Sequence, residues 1–374
     1  MICERRHVAL PIRVGSAFES QSGLQLNAPR IYGVAALPSE ATIGVILMHP
    51  ASNLMNHYLI DPLAGQGIGV LALNSRYCGG DSALIMEHVI QDVGAGVKFL
   101  RGQGMKTVAL IGNSGGAALM AFYQAQAERL TITETPAGDP VDLRAEDLPL
   151  ADGIALLAGH PGRGRLMLGY LDASVTDEAD PIATDPSLDI FNTDNGPPFD
   201  AGFVARVRAG QRRRSEAITA WARERLAIIR ALPDGRRDEA FVVHRTYADP
   251  RFLDLSLDPS DRKAGGNRGA SAREANLSAN NLGRFTTLTS WLSQWSLDTH
   301  ADGPACLAAT SVPVLQLDYT ADGGVYPSDV ALWSAAGGAR IENHRLVGAS
   351  HYMQGQPDLL ARAVDLTVDW LKRL

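Results

Sequence analysis

Five short apolar runs constrain the fold of this 374-residue chain more than any other feature. They are residues 43–48 (IGVILM), 68–73 (IGVLAL), 108–111 (VALI), 154–158 (IALLA) and 312–317 (VPVLQL). A strand that is apolar at successive positions, not at every second one, has both faces covered, as in a parallel sheet between helical layers. Helical spacing lies between the runs. Residues 82–101 carry Ile85, Val89, Val93, Val97 and Leu100, residues 117–128 are rich in Ala, Leu and Met, and residues 358–374 form an amphipathic pattern. Two further β-rich segments, 8–14 and 31–37, precede the runs, and 341–347 follows them. Strand–helix alternation predicts an α/β protein with a doubly wound, mostly parallel sheet.

The alternation stops in the middle. Residues 172–200 are rich in Asp, Pro, Thr and Gly, residues 217–232 form a helix pattern with Arg and Glu on one side, and residues 258–281 are polar and Gly/Ser-rich. Residues 287–295 are apolar and hold Trp291 and Trp295. A chain of this length accommodates one large domain with an insertion. The expected organisation is a core in two parts, 1–161 and 306–374, with a mainly helical cap or lid, 162–305, inserted between late strands.

The bulk numbers exclude several classes. A net charge of -7 argues against nucleic acid or an anionic membrane surface as partner. No apolar stretch approaches the roughly 20 residues of a membrane span, and the N-terminus has no apolar run of signal-peptide length. Three separated cysteines, Cys3, Cys78 and Cys306, form neither a metal-ligand pair nor a disulfide framework. The expectation is a cytoplasmic protein with free thiols, no metal and no organic cofactor. The sequence is compatible with a homodimer and does not specify one.

Chemistry concentrates in residues 108–119, VALIGNSGGAAL. An apolar strand runs into a Gly-x-Ser-x-Gly turn and out into a helix. A serine on such a tight turn projects its hydroxyl, glycines at 112 and 116 allow strand and helix to approach, and the helix N-terminus aims free N–H groups at developing negative charge. Serine alone is a poor nucleophile and needs a base with an orienting group. Downstream lie VPVLQLDYTADGGVYPSD, with Asp318 and Asp322, and then HRLVGASHYM, with His351 in a loop before the last helix. His88, within a helix, and His344, within a strand, are worse placed.

With GVILMHP, VALIGNSGG, the Asp322 loop and GASHYM in that order, the chain resembles the α/β-hydrolase superfamily from about Gly44 to its C-terminus. The resemblance implies Ser114 as nucleophile, His351 as base and Asp322 as the acid that orients it. Asp318 is the rival acid. Tyr319 stands where the superfamily's pattern has glycine, and Pro327 comes one residue late. The resemblance also implies an oxyanion hole with Gly115 as one backbone donor. The second comes from the loop 49–53 (HPASN), where Pro50 replaces the usual glycine and has no N–H. That leaves Ala51, with Ser52 as alternative.

Candidates for a substrate wall are His49 and Asn53 on that loop, His160 in the strand-exit loop 159–164 (GHPGRG), and Trp291, although a tryptophan pair such as Trp291 and Trp295 more often packs within the insertion. Arg212, Arg213 and Arg214 read as a solvated helix face. The expected activity is hydrolysis of a small-molecule carboxylic ester, lactone or thioester through an acyl-enzyme. Amide or carbon–carbon hydrolysis on the same triad is the alternative, and ligand binding without turnover is a third reading.

Overall fold

Each apolar run becomes a strand of one eight-stranded sheet in the computed structural model, which describes residues 4–13, 29–268 and 271–374. The strands are β1 (Arg5–Pro11), β2 (Arg30–Ala36), β3 (Ile43–Leu47), β4 (Gly69–Leu73), β5 (Thr107–Asn113) and β6 (Gly153–Leu157), then β9 (Val314–Tyr319) and β10 (Ile341–Leu346). A separate antiparallel pair, β7 (Ala240–Val242) and β8 (Phe285–Thr287), lies between β6 and β9 in the chain. The sheet order is β1-β2-β4-β3-β5-β6-β9-β10. Only β1–β2 and β2–β4 are antiparallel. The remaining neighbours pair in parallel. Of the expected first strand, Val14 lies outside the described residues, as does Cys3; Cys78 and Cys306 form no disulfide.

Alternate residues of the central strands feed two apolar layers. Ile46, Leu71 and Leu110 face the helices Met86–Gly102 and Gly116–Glu128. Val45, Val70, Ile111 and Leu157 face Ile60–Gly65 and the final helix Pro357–Leu371. Strands buried on both faces explain why the runs are apolar throughout. Among the described residues no helix is long and apolar enough to cross a membrane.

Between β6 and β9 the chain leaves the sheet and builds packing of its own. Helices Arg163–Tyr170 and Ala201–Arg230 frame it, with Leu288–Ser290 continuing into a π-helical turn, Trp291–Trp295. Met167, Ile218, Leu226, Trp291 and Leu292 form one apolar cluster there. The long helix begins sixteen residues before the expected start. Asp200 caps it by accepting from Phe203 N at 2.8 Å, and Phe203, Val207 and Gly210 continue the buried stripe. Arg214 is not solvated. It is buried, pairs with Glu178 at 2.5 Å and donates to the carbonyls of Asp172 and Arg245, each at 3.1 Å. In residues 172–200, aspartates accept from the N–H two residues on, as at Asp177, Asp180, Asp185 and Asp189, and so favour turns over helix.

The segment is anchored to the helix Met86–Gly102 of the core by buried polar contacts. Glu87, wholly buried, accepts from Ser293 Oγ at 2.7 Å and meets His300 Nδ1 at 2.9 Å. Deeper in the segment, Asp249 lies between Arg208 (2.7 Å) and Arg251 (2.8 Å), and Arg251 covers the Tyr326 ring at 3.6 Å. Burial alone would raise the Asp249 carboxyl pKa, but the two guanidiniums overcome this and hold it well below the usual carboxylate range. Removing one member of such a buried cluster strands the others. Asp249→Ala is therefore expected to lower unfolding free energy by about 3 kcal/mol in denaturant titration; a loss within error of zero would contradict this role.

Candidate active site

At the end of β5 the backbone turns sharply, and Ser114 takes φ of +57°. For a non-glycine residue this left-handed conformation costs on the order of 1 kcal/mol or more, and it persists only where its surroundings impose it. Here they do. Ser114 N donates to Leu157 O at 3.1 Å and Asn113 Nδ2 to the same carbonyl at 2.9 Å, pinning the turn to β6. The two glycines are required by contact. A Cβ on Gly112 would lie 2.5 Å from Ala117 N, and one on Gly116 would lie 2.5 Å from Met48 O.

The loops after β9 and β10 bring the other partners in. Asp322 is wholly buried; Oδ1 accepts from Gly324 N at 2.7 Å, and Oδ2 meets His351 Nδ1 at 2.5 Å. The two loops are joined by Ala321 N donating to Ala349 O at 2.9 Å. Asp318 takes a different course. It meets Arg345 at 3.5 Å, and burial raises its pKa. Tyr319, in the place of the expected glycine, packs in the same apolar layer as Tyr58.

Ser114 and His351 line one cavity of about 50 Å³. Among the described residues no hydrogen bond joins them. Their neighbours in the wall include His49, His160, Arg163 and Arg268. His49 Nδ1 accepts from Ala51 N at 3.1 Å and Ser52 N at 2.9 Å. His160 Nδ1 accepts from Gly162 N at 3.2 Å. A ring nitrogen that accepts carries no proton, so in each neutral ring the proton is on Nε2. Both Nε2 atoms converge on Gly115: a Cβ there would sit 2.7 Å from that of His49 and 3.0 Å from that of His160. Burial, then the Arg163 charge, pushes the His49 pKa well below the usual imidazole range. The same causes bring His160 down to about 3, so both rings are neutral near pH 7.

Three expected site residues lie elsewhere. The N–H of Ala51, and that of its alternative Ser52, is taken by His49 Nδ1 and is not directed at Ser114. Asn53 spends its side-chain oxygen on Met55 N (3.0 Å) and Asn74 Nδ2 (3.1 Å), and it takes no part in the cavity wall. Trp291 is buried in the insertion, its indole N–H bonded to Thr219 Oγ1 at 3.0 Å; its neighbour Trp295 lines the cavity instead. Arg163 and Arg268 were not anticipated. Arg163 lies three residues after His160 in the exit loop already singled out, whereas nothing in the polar run around Arg268 marks it.

No family model and no curated protein matches the sequence. Solved structures do. An α/β hydrolase, GrgF, from Penicillium sp. sh18 has a TM-score of 0.51 at 14% identity, over 99% of this chain and 98% of that one. DcsB, solved in complex with its substrate analogue, has a TM-score of 0.53 at 12% identity, over 99% of both chains. With its mostly parallel sheet and flanking helices, the chain has the α/β-hydrolase fold.

Proposed function

We propose that this protein is a serine hydrolase of small carboxylic esters, working through an acyl-enzyme on Ser114, His351 and Asp322. One observation carries the reading: Ser114, held in a left-handed turn, shares a cavity with an imidazole whose Nδ1 is bound to a buried carboxylate. Asp322 fixes the His351 tautomer with Nε2 free to accept, so His351 takes the Ser114 proton as the oxygen attacks the acyl carbon. His351 then returns that proton to the leaving alkoxide. Water, deprotonated by His351, attacks the acyl-enzyme, and the proton passes to Ser114 Oγ as the acid departs.

The oxyanion hole in this reading is Gly115 N–H with His49 Nε2–H. Gly115 N has no acceptor among the described residues, and the amides that would have served from the His49 loop are consumed in orienting the ring. The loop thus delivers its donor through the imidazole. Protein side chains, histidine among them, serve in this role when neutral and preorganised. Residues 162–305 act as the cap. A cavity of about 50 Å³ is far below the roughly 300 Å³ of small ligand pockets. The wall therefore opens to admit an ester. Residues 265–268 close one side of the wall and rest on the acid loop, where a Cβ on Gly323 would meet Gly266 O at 2.7 Å. A chamber this small suits a small molecule, and the reading places the enzyme in the cytoplasm without a cofactor.

Three outcomes are expected. A fluorophosphonate probe labels the wild-type chain and not Ser114→Ala, and His351→Ala lowers kcat on p-nitrophenyl butyrate by at least about 10³-fold; equal labelling of both proteins would overturn the assignment. His49→Gln lowers kcat about 10²-fold with little change in KM, whereas an unchanged kcat would remove His49 from the oxyanion hole. The third concerns stability. His49, His57 and His160 are buried neutral, with His57 brought down to about 4 by burial. Because their folded pKa values lie below the unfolded value near 6.5, the stability they contribute is present above that pH and is lost as pH falls through it. Each should cost about 2 kcal/mol between pH 7 and pH 5. Denaturant titrations showing equal stability at the two pH values would contradict neutral burial.

A further inference from the structure

Among the described residues the wall of the Ser114 cavity holds no acid, and beside Leu166 and Leu282 it presents several hydrogen-bond donors. Arg163, buried to 7% exposure, bonds to Asp81 (2.8 Å) and to Gln294 through Nη1 alone. Its Nε and Nη2 have no acceptor among the described residues, and its guanidinium lies over the Trp295 ring, 4.7 Å from the centroid. Trp295 also lines the cavity, and its buried indole N–H has no acceptor. Arg268, exposed on its outer side, has no carboxylate partner among the described residues. Its charge reaches His49, His160 and Arg163. With the two Nε2–H groups of His49 and His160, these are donors in excess. The carboxylate closest to the chemistry, Asp322, is already spent on His351 and Gly324 N.

Buried donors without acceptors are costly, and the cost is largest for a charged group. A transient oxyanion held by Gly115 N–H and His49 Nε2–H satisfies one of these donors and leaves His160, the guanidiniums and the indole. Such a wall is complementary to a ligand that brings a second, permanent anionic acceptor. A guanidinium that can offer two parallel N–H groups matches a carboxylate. The stacking of Arg163 on Trp295 and its tie to Asp81 hold that donor pair in place before binding.

We propose that the substrate is a half-ester or related acyl compound bearing a free carboxylate, bound by Arg268 and Arg163 while its ester carbonyl lies over Ser114. The proposal rests on the hydrolase reading for the position of the carbonyl, but its anion site can be measured without turnover. Neutral esters lack this contact.

The test is calorimetric titration of the full-length Ser114→Ala chain with monomethyl glutarate and dimethyl glutarate. The monoanion is expected to bind at least about tenfold more tightly, the ratio that one charge-assisted pair supplies. Arg268→Ala, at an exposed position, should reduce the preference to threefold or less, and Arg163→Lys, which keeps the charge facing Asp81, should reduce it in part. Equal affinity for the two compounds, binding of neither, or a preference untouched by Arg268→Ala would overturn the proposal. Fluorophosphonate labelling separates the two claims. Labelling of Ser114 without anion preference leaves the hydrolase and removes the carboxylate site, and the reverse pattern does the opposite.

Discussion

The site depends on one backbone conformation. Ser114 occupies the left-handed region at φ of +57°, and no local preference of serine places it there. The conformation is imposed from three sides. β5 is fixed between β3 and β6, the turn is bonded to Leu157 O, and the following helix packs so closely that Gly112 and Gly116 admit no side chain. Relaxing Ser114 would require breaking strand pairing in the middle of the sheet. The strain is therefore held by the most buried part of the molecule, and the hydroxyl is presented at the C-terminal edge of the parallel strands. In an α/β sheet this edge is where the loops converge.

Three imidazoles meet at that edge, and the partner of each Nδ1 decides what its ring can do. His351 Nδ1 faces a carboxylate, so Nε2 is left as an acceptor. His49 and His160 accept main-chain N–H groups at Nδ1, so their Nε2 atoms are donors. One ring thereby presents an acceptor and two present donors. Pro50 belongs to the same arrangement. Proline in place of glycine removes one amide from the loop, and the next two amides turn back onto the ring of His49. Burial and the cation of Arg163 keep His49 and His160 neutral, each with its one ring proton on Nε2.

Much of this was legible in the sequence because it is local or periodic. Apolar runs at 43–48, 68–73, 108–111 and 154–158 gave the sheet to within a residue or two, since burial on both faces leaves no other composition for a strand. The Ser114 turn was legible because its glycines are contact requirements. The order Ser114, Asp322, His351 was legible only through resemblance, because nothing in residues 318–322 states which aspartate turns inward. Ala51 was misplaced because a backbone amide's target depends on its loop, and here a side chain two residues back captured it. Trp291 and Trp295 have equal local patterns; the π-helical turn decides that one is packed inside the insertion and the other faces the cavity. Arg163 and Arg268 converge across more than a hundred residues of irregular chain, a relation without periodicity to read.

The central claim is that Ser114 Oγ forms a covalent acyl intermediate. Rapid acid quench of the wild-type chain during turnover of a chromogenic ester, followed by peptide mapping by mass spectrometry, tests it directly. The account predicts an acyl adduct on the peptide containing Ser114, formed in a burst before steady state and missing when Asp322 is replaced by Ala and acylation becomes slow. Steady turnover with no adduct on that peptide, or an adduct on a different residue, would contradict it.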